Sequence, residues 1–236
     1  LDVENTRREA WRLFDRIAAR YDFLNRLLSM RQDVVWRKKL ARFLPKGEKL
    51  NILDVATGTA DQILFLLQQS KRIEKVVGID LSENMLAIGQ KKIDQLNLSS
   101  KVSLRSGDGA NLPFDDVTFN AVTISFGIRN ILQYSKSLQE MFRVLKPGGK
   151  VIILEFSLPK STFVRLPYLF YFRKILPVIG GQLSGDKVAY SYLNQTVEDF
   201  PYGLEFLKKM GEVGFADLEA HPLSLGIATI YVGTKK

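Results

Sequence analysis

Cysteine is absent from this 236-residue chain, which excludes disulfides, thiolate zinc sites and thiol nucleophiles, and fits a reducing compartment. Histidine occurs once, at His221, too few for an HExxH metal site or a Ser-His-Asp triad, and no metal site is expected. No apolar run is long enough to cross a bilayer. Residues 1–20 are too densely charged for a secretory signal. Acidic side chains are the scarcer kind, 25 against 34 Lys and Arg, leaving a net charge of +9. The surplus is uneven. Residues 1–49 hold thirteen bases and seven acids, and residues 158–187 hold five bases and one acid, so the middle of the chain is nearly neutral. Two basic segments flanking a neutral core suit an anionic surface, phospholipid or nucleic acid. Solubilising charge on exposed helices is the plainer alternative.

The organising stretch is Asn51-Ile-Leu-Asp-Val-Ala-Thr-Gly-Thr-Ala-Asp61. Asn51–Val55 is short, apolar and β-branched, as a buried strand is. Gly58 centres a loop of small residues, and Ile63, Leu66 and Leu67 then recur at helical spacing. A strand, a tight turn and a helix start leave backbone N–H groups facing a ligand. Val76–Ile79 reads as the next strand and closes on Asp80, about 20 residues beyond the loop, where nucleotide-binding βαβ units carry a ribose-binding carboxylate.

Two of the three glycines of a dinucleotide loop are missing, and Asp54 precedes the turn. Asp54 would repel a pyrophosphate but not a cationic sulfonium. The remaining strands follow in order: Lys101–Arg105, running into Gly107-Asp108-Gly109; Phe119–Ile124, running into Ser125-Phe-Gly-Ile-Arg129-Asn130; and Lys150–Leu154, running into Glu155. An acid at Asp108 suits an exocyclic amine, because carboxylates only accept. Strands alternating with helices predict a parallel, doubly wound sheet, with ligands at the carboxyl ends. A helix over residues 4–20, a turn at Lys146–Gly149, a helix bracketed by Pro167 and Pro177, and a final antiparallel strand pair complete the expectation.

The acid-then-glycine loop resembles the first motif of class I S-adenosylmethionine (SAM) methyltransferases, departing from its nearest branch at Ala60, where that branch has Gly. Longer segments resemble the quinone C-methyltransferases of ubiquinone and menaquinone biosynthesis: Tyr21-Asp22-x-x-Asn25-x-x-x-Ser29 with Trp36, then Arg143–Ser157, Ser125–Asn130 and Ser191-Tyr192-Leu193. The family pattern has His at Asp33, Gly at Arg31 and often Ala at Gly109.

This resemblance implies a Rossmann-like α/β fold with a mostly parallel seven-stranded sheet and helices on both faces. One methyltransferase domain is expected, with a helical lid over 1–49, a SAM-binding core over 50–157, a helical insertion over 158–198 and a terminal helix and strand pair over 199–236. It implies SAM as cofactor, met by Asp54, Gly58, Thr59, Asp80, Asp108, Gly109 and Ser125. It implies C-methylation of a polyprenyl quinol, with Arg129 stabilising the developing quinolate, Asn130 beside it, and Tyr21, Tyr190 or Tyr192 in a proton relay. A peripheral place on an anionic membrane is expected, cytoplasmic, or in the matrix or plastid of a eukaryote, with an oligomer or quinone-assembly complex as company. No nucleic acid is expected, since the Asn-Pro-Pro-Tyr-like motif of amino-methylating DNA enzymes is missing after the fourth strand. A nucleic-acid methyltransferase and a non-catalytic SAM- or lipid-binding subunit are the competing readings.

Overall fold

The computed structural model describes residues 9–178 and 187–236, without the side chains of 187–191 and 193. Expectations on residues 4–8 and on the Tyr190 side chain therefore lie outside the described residues.

Seven strands form one sheet: β1 (Leu50–Val55), β2 (Ile73–Asp80), β3 (Val102–Ser106), β4 (Phe119–Ser125), β5 (Leu145–Phe156), β6 (Ala216–Leu223) and β7 (Ala228–Thr234). Their order is β3-β2-β1-β4-β5-β7-β6. The first five run parallel, and β7 enters antiparallel between β5 and β6. Side chains alternate across β1. Leu50 and Ile52 join a core with Ile63, Leu66 and Ile93 on one face, while Leu53 and Val55 join Leu138, Met141 and Phe206 on the other. Each such side chain, fully withdrawn from water, contributes roughly 1.5–3 kcal/mol. Helices α3 (Asp61–Gln69), α4 (Glu83–Gln95), α5 (Tyr134–Val144) and α8 (Leu204–Val213) supply the partners for these faces. Between β1 and β4 the chain order reverses, which opens a crevice at the carboxyl ends of the strands.

Ahead of the sheet lie α1 (Ala10–Leu28) and α2 (Gln32–Lys39). Helix α1 runs through Tyr21 to Leu28 without a break, well past the end at residue 20 that periodicity alone indicated, because Leu13, Ile17 and Leu24 extend one buried stripe. The turn into α2 puts Arg31 at φ 61°, a left-handed position that costs a side chain about 1 kcal/mol, which accounts for Gly in the family pattern.

Two further expectations change. Lys146–Gly149 is no free turn but a bulge inside β5: Phe119 pairs with Leu145, and the next pair is Ala121 with Lys150. Pro167 does not bound a helix but lies within α6 (Thr162–Phe170). Lacking an N–H, it loosens the helix, which continues as a π turn over Tyr171–Ile175. The last helix before α8 is α7 (Lys187–Asp199). Among the described residues no helix is long and apolar enough to cross a membrane, and no acidic or histidine cluster could hold a metal.

Candidate active site

The loop after β1 is built by Asp54. Its carboxylate is 1% exposed and accepts the hydroxyls of Thr57 at 2.6 Å and Thr123 at 2.5 Å. Asp54 braces the loop from beneath and does not border the main cavity above it. Burial raises its carboxyl to about 6, against the two threonine hydroxyls and Arg37, which lower it. Between roughly pH 4 and 6 the native state keeps a proton that the unfolded chain has released, so stability falls as pH rises through that window, by about 3 kcal/mol at most. Asp54→Asn is expected to reduce this slope in denaturant melts at pH 4, 5, 6 and 7, leaving the part due to Asp80, whose carboxyl burial also raises. An unchanged slope would locate the titration elsewhere.

Gly58 takes φ +55°, and a Cβ there would meet nothing within 4 Å, so the backbone is bare toward the crevice. Ala60 takes φ 64° as the residue before α3 and is fully buried. The family's Gly is thus a matter of backbone conformation. Ala60 strains the turn rather than crowding the cavity above it, whose walls do not include it. Helix α4 can approach because position 89 is Gly, where a Cβ would lie 3.2 Å from both Ala60 Cβ and the Thr59 carbonyl carbon. Ser82 caps that helix, accepting from Met85 N at 3.2 Å.

A cavity of about 330 Å³ occupies the crevice. On its walls are Gly58, Asp80, Asp108, Gly109, Ser125, Asn130 and Tyr21, with Met85, Ile131 and Leu132 as apolar surface. Asp80 accepts Gly58 N at 2.8 Å and Ser82 N at 2.9 Å, one on each oxygen, which leaves further lone pairs for hydroxyl donors. Burial raises its carboxyl, opposed by those backbone N–H groups. Asp108 accepts Ala110 N at 2.8 Å. Ser125 donates to Gln62 Oε1 at 2.9 Å. Asn130 Oδ1 is buried without a partner. Carboxylates at two points, bare loop backbone between them and an apolar flank fit a nucleoside carrying a cationic sulfonium. Thr59 stands apart. It donates to Asp22 at 2.6 Å and borders only a small polar chamber of about 20 Å³ behind the loop, along with Asp54.

A second cavity, of about 190 Å³, adjoins the first, with Tyr21 and Phe126 in the walls of both. It is mainly apolar: Phe14, Ile17, Trp36, Phe156, Phe172 and Leu176 line it with Tyr168 and Tyr192. Arg129 is in its wall, not in that of the first. Only 4% exposed, Arg129 donates from Nη1 to Glu155 Oε1 at 2.6 Å and to the Phe126 carbonyl at 2.7 Å, and its Nε is buried without a partner. Glu155 is wholly buried and also accepts Phe156 N at 2.8 Å. Phe126 holds φ 60°, a costly conformation for a bulky residue, and it is this turn that presents its ring to both cavities. Burial raises the Tyr21 phenol, with Arg37 and a hydrogen bond to Asn25 lowering it, so Tyr21 keeps its proton at neutral pH.

Helix α1 roofs both cavities and is tied down by charge. Asp15 accepts Ser82 Oγ at 2.6 Å and Asn84 Nδ2 at 2.7 Å. Asp22 accepts Lys92 Nζ at 2.5 Å, Lys92 also bonds Asp61 at 2.8 Å, and Arg26 bridges Asp61 to Asp33. Asp33, at the family's histidine position, is 4% exposed, takes Ser29 Oγ at 2.8 Å and joins this network. His221 lies away from the site, against the Phe43 ring at 4.5 Å and Glu219 at 2.8 Å.

Residues 2–235 match the model described as the ubiE/COQ5 methyltransferase family. The chain belongs to this family. It is 44% identical over 226 residues, 94% of both chains, to the ubiquinone/menaquinone biosynthesis C-methyltransferase UbiE of Geotalea daltonii. It is 39% identical over 223 residues, 94% of this chain and 91% of the other, to the demethylmenaquinone methyltransferase of Bacteroides fragilis. Among solved structures, a SAM-dependent methyltransferase of Thermotoga maritima, described as a possible histamine N-methyltransferase, shares the fold. Its TM-score is 0.69 at 20% identity, covering 96% of this chain and all of that one. Phosphoethanolamine N-methyltransferase 2 of Haemonchus contortus, solved in complex with SAM, aligns at a TM-score of 0.62 and 17% identity over 86% of this chain and 52% of that one. The ubiE/COQ5 chain is a SAM-dependent methyltransferase of class I fold. Polar groups to which sequence reasoning gave no role are Glu155, Arg37 and Tyr168. Glu155 had a signal: like Asp54 and Asp80, it closes an apolar strand with an acid.

Proposed function

We propose that this methyltransferase places a methyl group on a ring carbon of a polyprenyl quinol, the chemistry its relatives' names describe for them. The observation that carries the reading is the pair of adjoining cavities, one polar and set with carboxylates, the other aromatic and set with Arg129, sharing Tyr21 and Phe126. Bound SAM supplies an electrophilic methyl group on a sulfonium. The chain's task is to hold the ring carbon in line with it and make that carbon electron-rich. Arg129 stabilises negative charge on the ring oxygen and Tyr21 donates a hydrogen bond. The guanidinium, which does not deprotonate near pH 7, acts electrostatically. In the other cavity Asp80 takes the ribose hydroxyls, Asp108 the adenine amine, and Gly58, Gly109 and Ser125 line the path between; Asn130 orients what lies there. Ring-carbon and hydroxyl protons leave through water.

At about 190 Å³ the aromatic cavity falls below the roughly 300–1,000 Å³ of common ligand sites, which suits a ring and leaves a long prenyl chain outside. The exit runs past Met30, which is 77% exposed and borders the cavity. Helix α6 exposes Phe163, Leu166 and Phe170 at helical spacing, with Lys160, Arg165 and Lys174 close by in sequence. An aromatic face edged by cations suits the surface of an anionic bilayer, where such a substrate resides.

Labelled SAM incubated with demethylmenaquinol and with methoxy-polyprenyl benzoquinol, in vesicles containing phosphatidylglycerol, is expected to label at least one of the two. Cofactor binding with neither quinol labelled would overturn the reading. In sedimentation, Phe163→Glu is expected to release the chain from those vesicles.

A further inference from the structure

The aromatic cavity holds a second buried guanidinium that the functional reading has not used. Arg37 is 7% exposed, and its side chain makes no hydrogen bond or ion pair among the described residues. Its Nε is buried without a partner, as are Arg129 Nε and the Tyr168 hydroxyl, and all three residues border this cavity. The two guanidinia flank one aromatic pair. Arg37 Cζ is 5.2 Å from the Phe126 ring centre, that ring is 4.5 Å from Phe156, and Arg129 Cζ is 5.3 Å from Phe156. Both cations also act on the Tyr21 phenol.

Glu155 answers the charge of Arg129 at 2.6 Å, whereas Arg37 acts on the Asp54 and Asp61 carboxyls only from beyond bonding distance, which leaves its N–H donors without acceptors. A buried donor without an acceptor destabilises the protein unless a ligand supplies one. Guanidinium groups only donate, so the ligand must bring acceptors, and with two guanidinia in the wall it must bring more than one. A monophenol has a single ring oxygen, whereas a quinol has two on opposite sides of the ring.

We propose that Arg37 binds the second ring oxygen of the substrate, opposite the one held by Arg129, with Tyr168 as an added donor, so that the cavity selects two-oxygen rings. This rests on the quinol reading. Arg37 also borders the small chamber behind Gly58 and Thr59, so the carboxylate of the cofactor's amino-acid end is the other source of the same oxyanion chemistry.

The test uses the full chain and binding alone, so that it is separate from the outcome of methyl transfer. Calorimetry with 1,4-dihydroxynaphthalene and 1-naphthol, in the presence of S-adenosylhomocysteine, is expected to show the diol bound at least about tenfold tighter. In Arg37→Gln that preference is expected to shrink to about twofold while S-adenosylhomocysteine affinity stays within about twofold. Tyr168→Phe is expected to narrow the preference part of the way, and with Arg37→Lys it carries the comparison should Arg37→Gln fail to fold. Equal binding of diol and naphthol by the unaltered chain would overturn the proposal. So would a loss in Arg37→Gln that falls on S-adenosylhomocysteine and spares 5′-methylthioadenosine, which lacks the amino-acid end.

Discussion

Arg129→Lys is expected to fold, to bind S-adenosylhomocysteine within about twofold of the parent, and to lose about 10²–10³ in kcat, the usual cost of removing one preorganised charge-stabilising donor. Lysine keeps the charge that Glu155 requires, but one tetrahedral Nζ replaces the planar fork whose Nη1 holds Glu155 and the Phe126 carbonyl and whose other N–H groups remain for a ligand. Alanine should behave differently. With the guanidinium gone, Glu155 remains a wholly buried carboxylate with backbone N–H donors but no countercharge, and breaking such a pair costs about 3–5 kcal/mol. The double variant Arg129→Met with Glu155→Leu should regain much of that stability and none of the activity. Chemical denaturation, titration calorimetry and a methyl-transfer assay on the same samples separate the effects. A lysine variant with parental kcat would reject the catalytic role.

Asp80→Asn is expected to weaken S-adenosylhomocysteine binding by about a hundredfold, since hydrogen bonds to a charged group contribute roughly 1.5–3 kcal/mol each. The change is nearly isosteric, yet it removes one of two acceptor oxygens. At present one oxygen holds Gly58 N and the other Ser82 N, so an amide must release either the loop or the helix cap as well as the ribose. Asp54→Asn is the internal comparison: it lies under the same loop and off the cofactor cavity, and affinity there should change far less. Calorimetry on both decides the matter. Equal losses would mean that loop shape, not the ribose contact, sets affinity.

The sheet was legible because β1, β2, β4 and β5 each carry a short apolar run that meets a polar residue and β3 alternates, patterns that depend only on local chemistry. Asp80, Asp108, Gly109 and Ser125 were legible for the same reason: each lies at or just past a strand's carboxyl end, where an open α/β sheet exposes its ligands. Asp54 obeys the same pattern, yet it turns down toward Thr57 and Thr123; a strand end indicates position but not the side-chain direction. Arg37 was hidden within Arg37-Lys38-Lys39, where nothing in the charge run marks one residue as buried. Its burial comes from tertiary packing of α2 against Phe126, a contact between residues far apart in the chain. Tyr168 was hidden by Pro167. A proline in an aromatic run reads as a helix boundary, whereas here the helix continues past it and carries the phenol inward.

One helix, α1, covers both chambers, and that has a kinetic corollary. Residues of α1 wall both cavities, so raising α1 to release one product loosens the other as well. Spent cofactor and methylated ring should then depart in coupled fashion, at a rate set by how fast the Asp15, Asp22 and Arg26 contacts break, and that rate should climb with ionic strength.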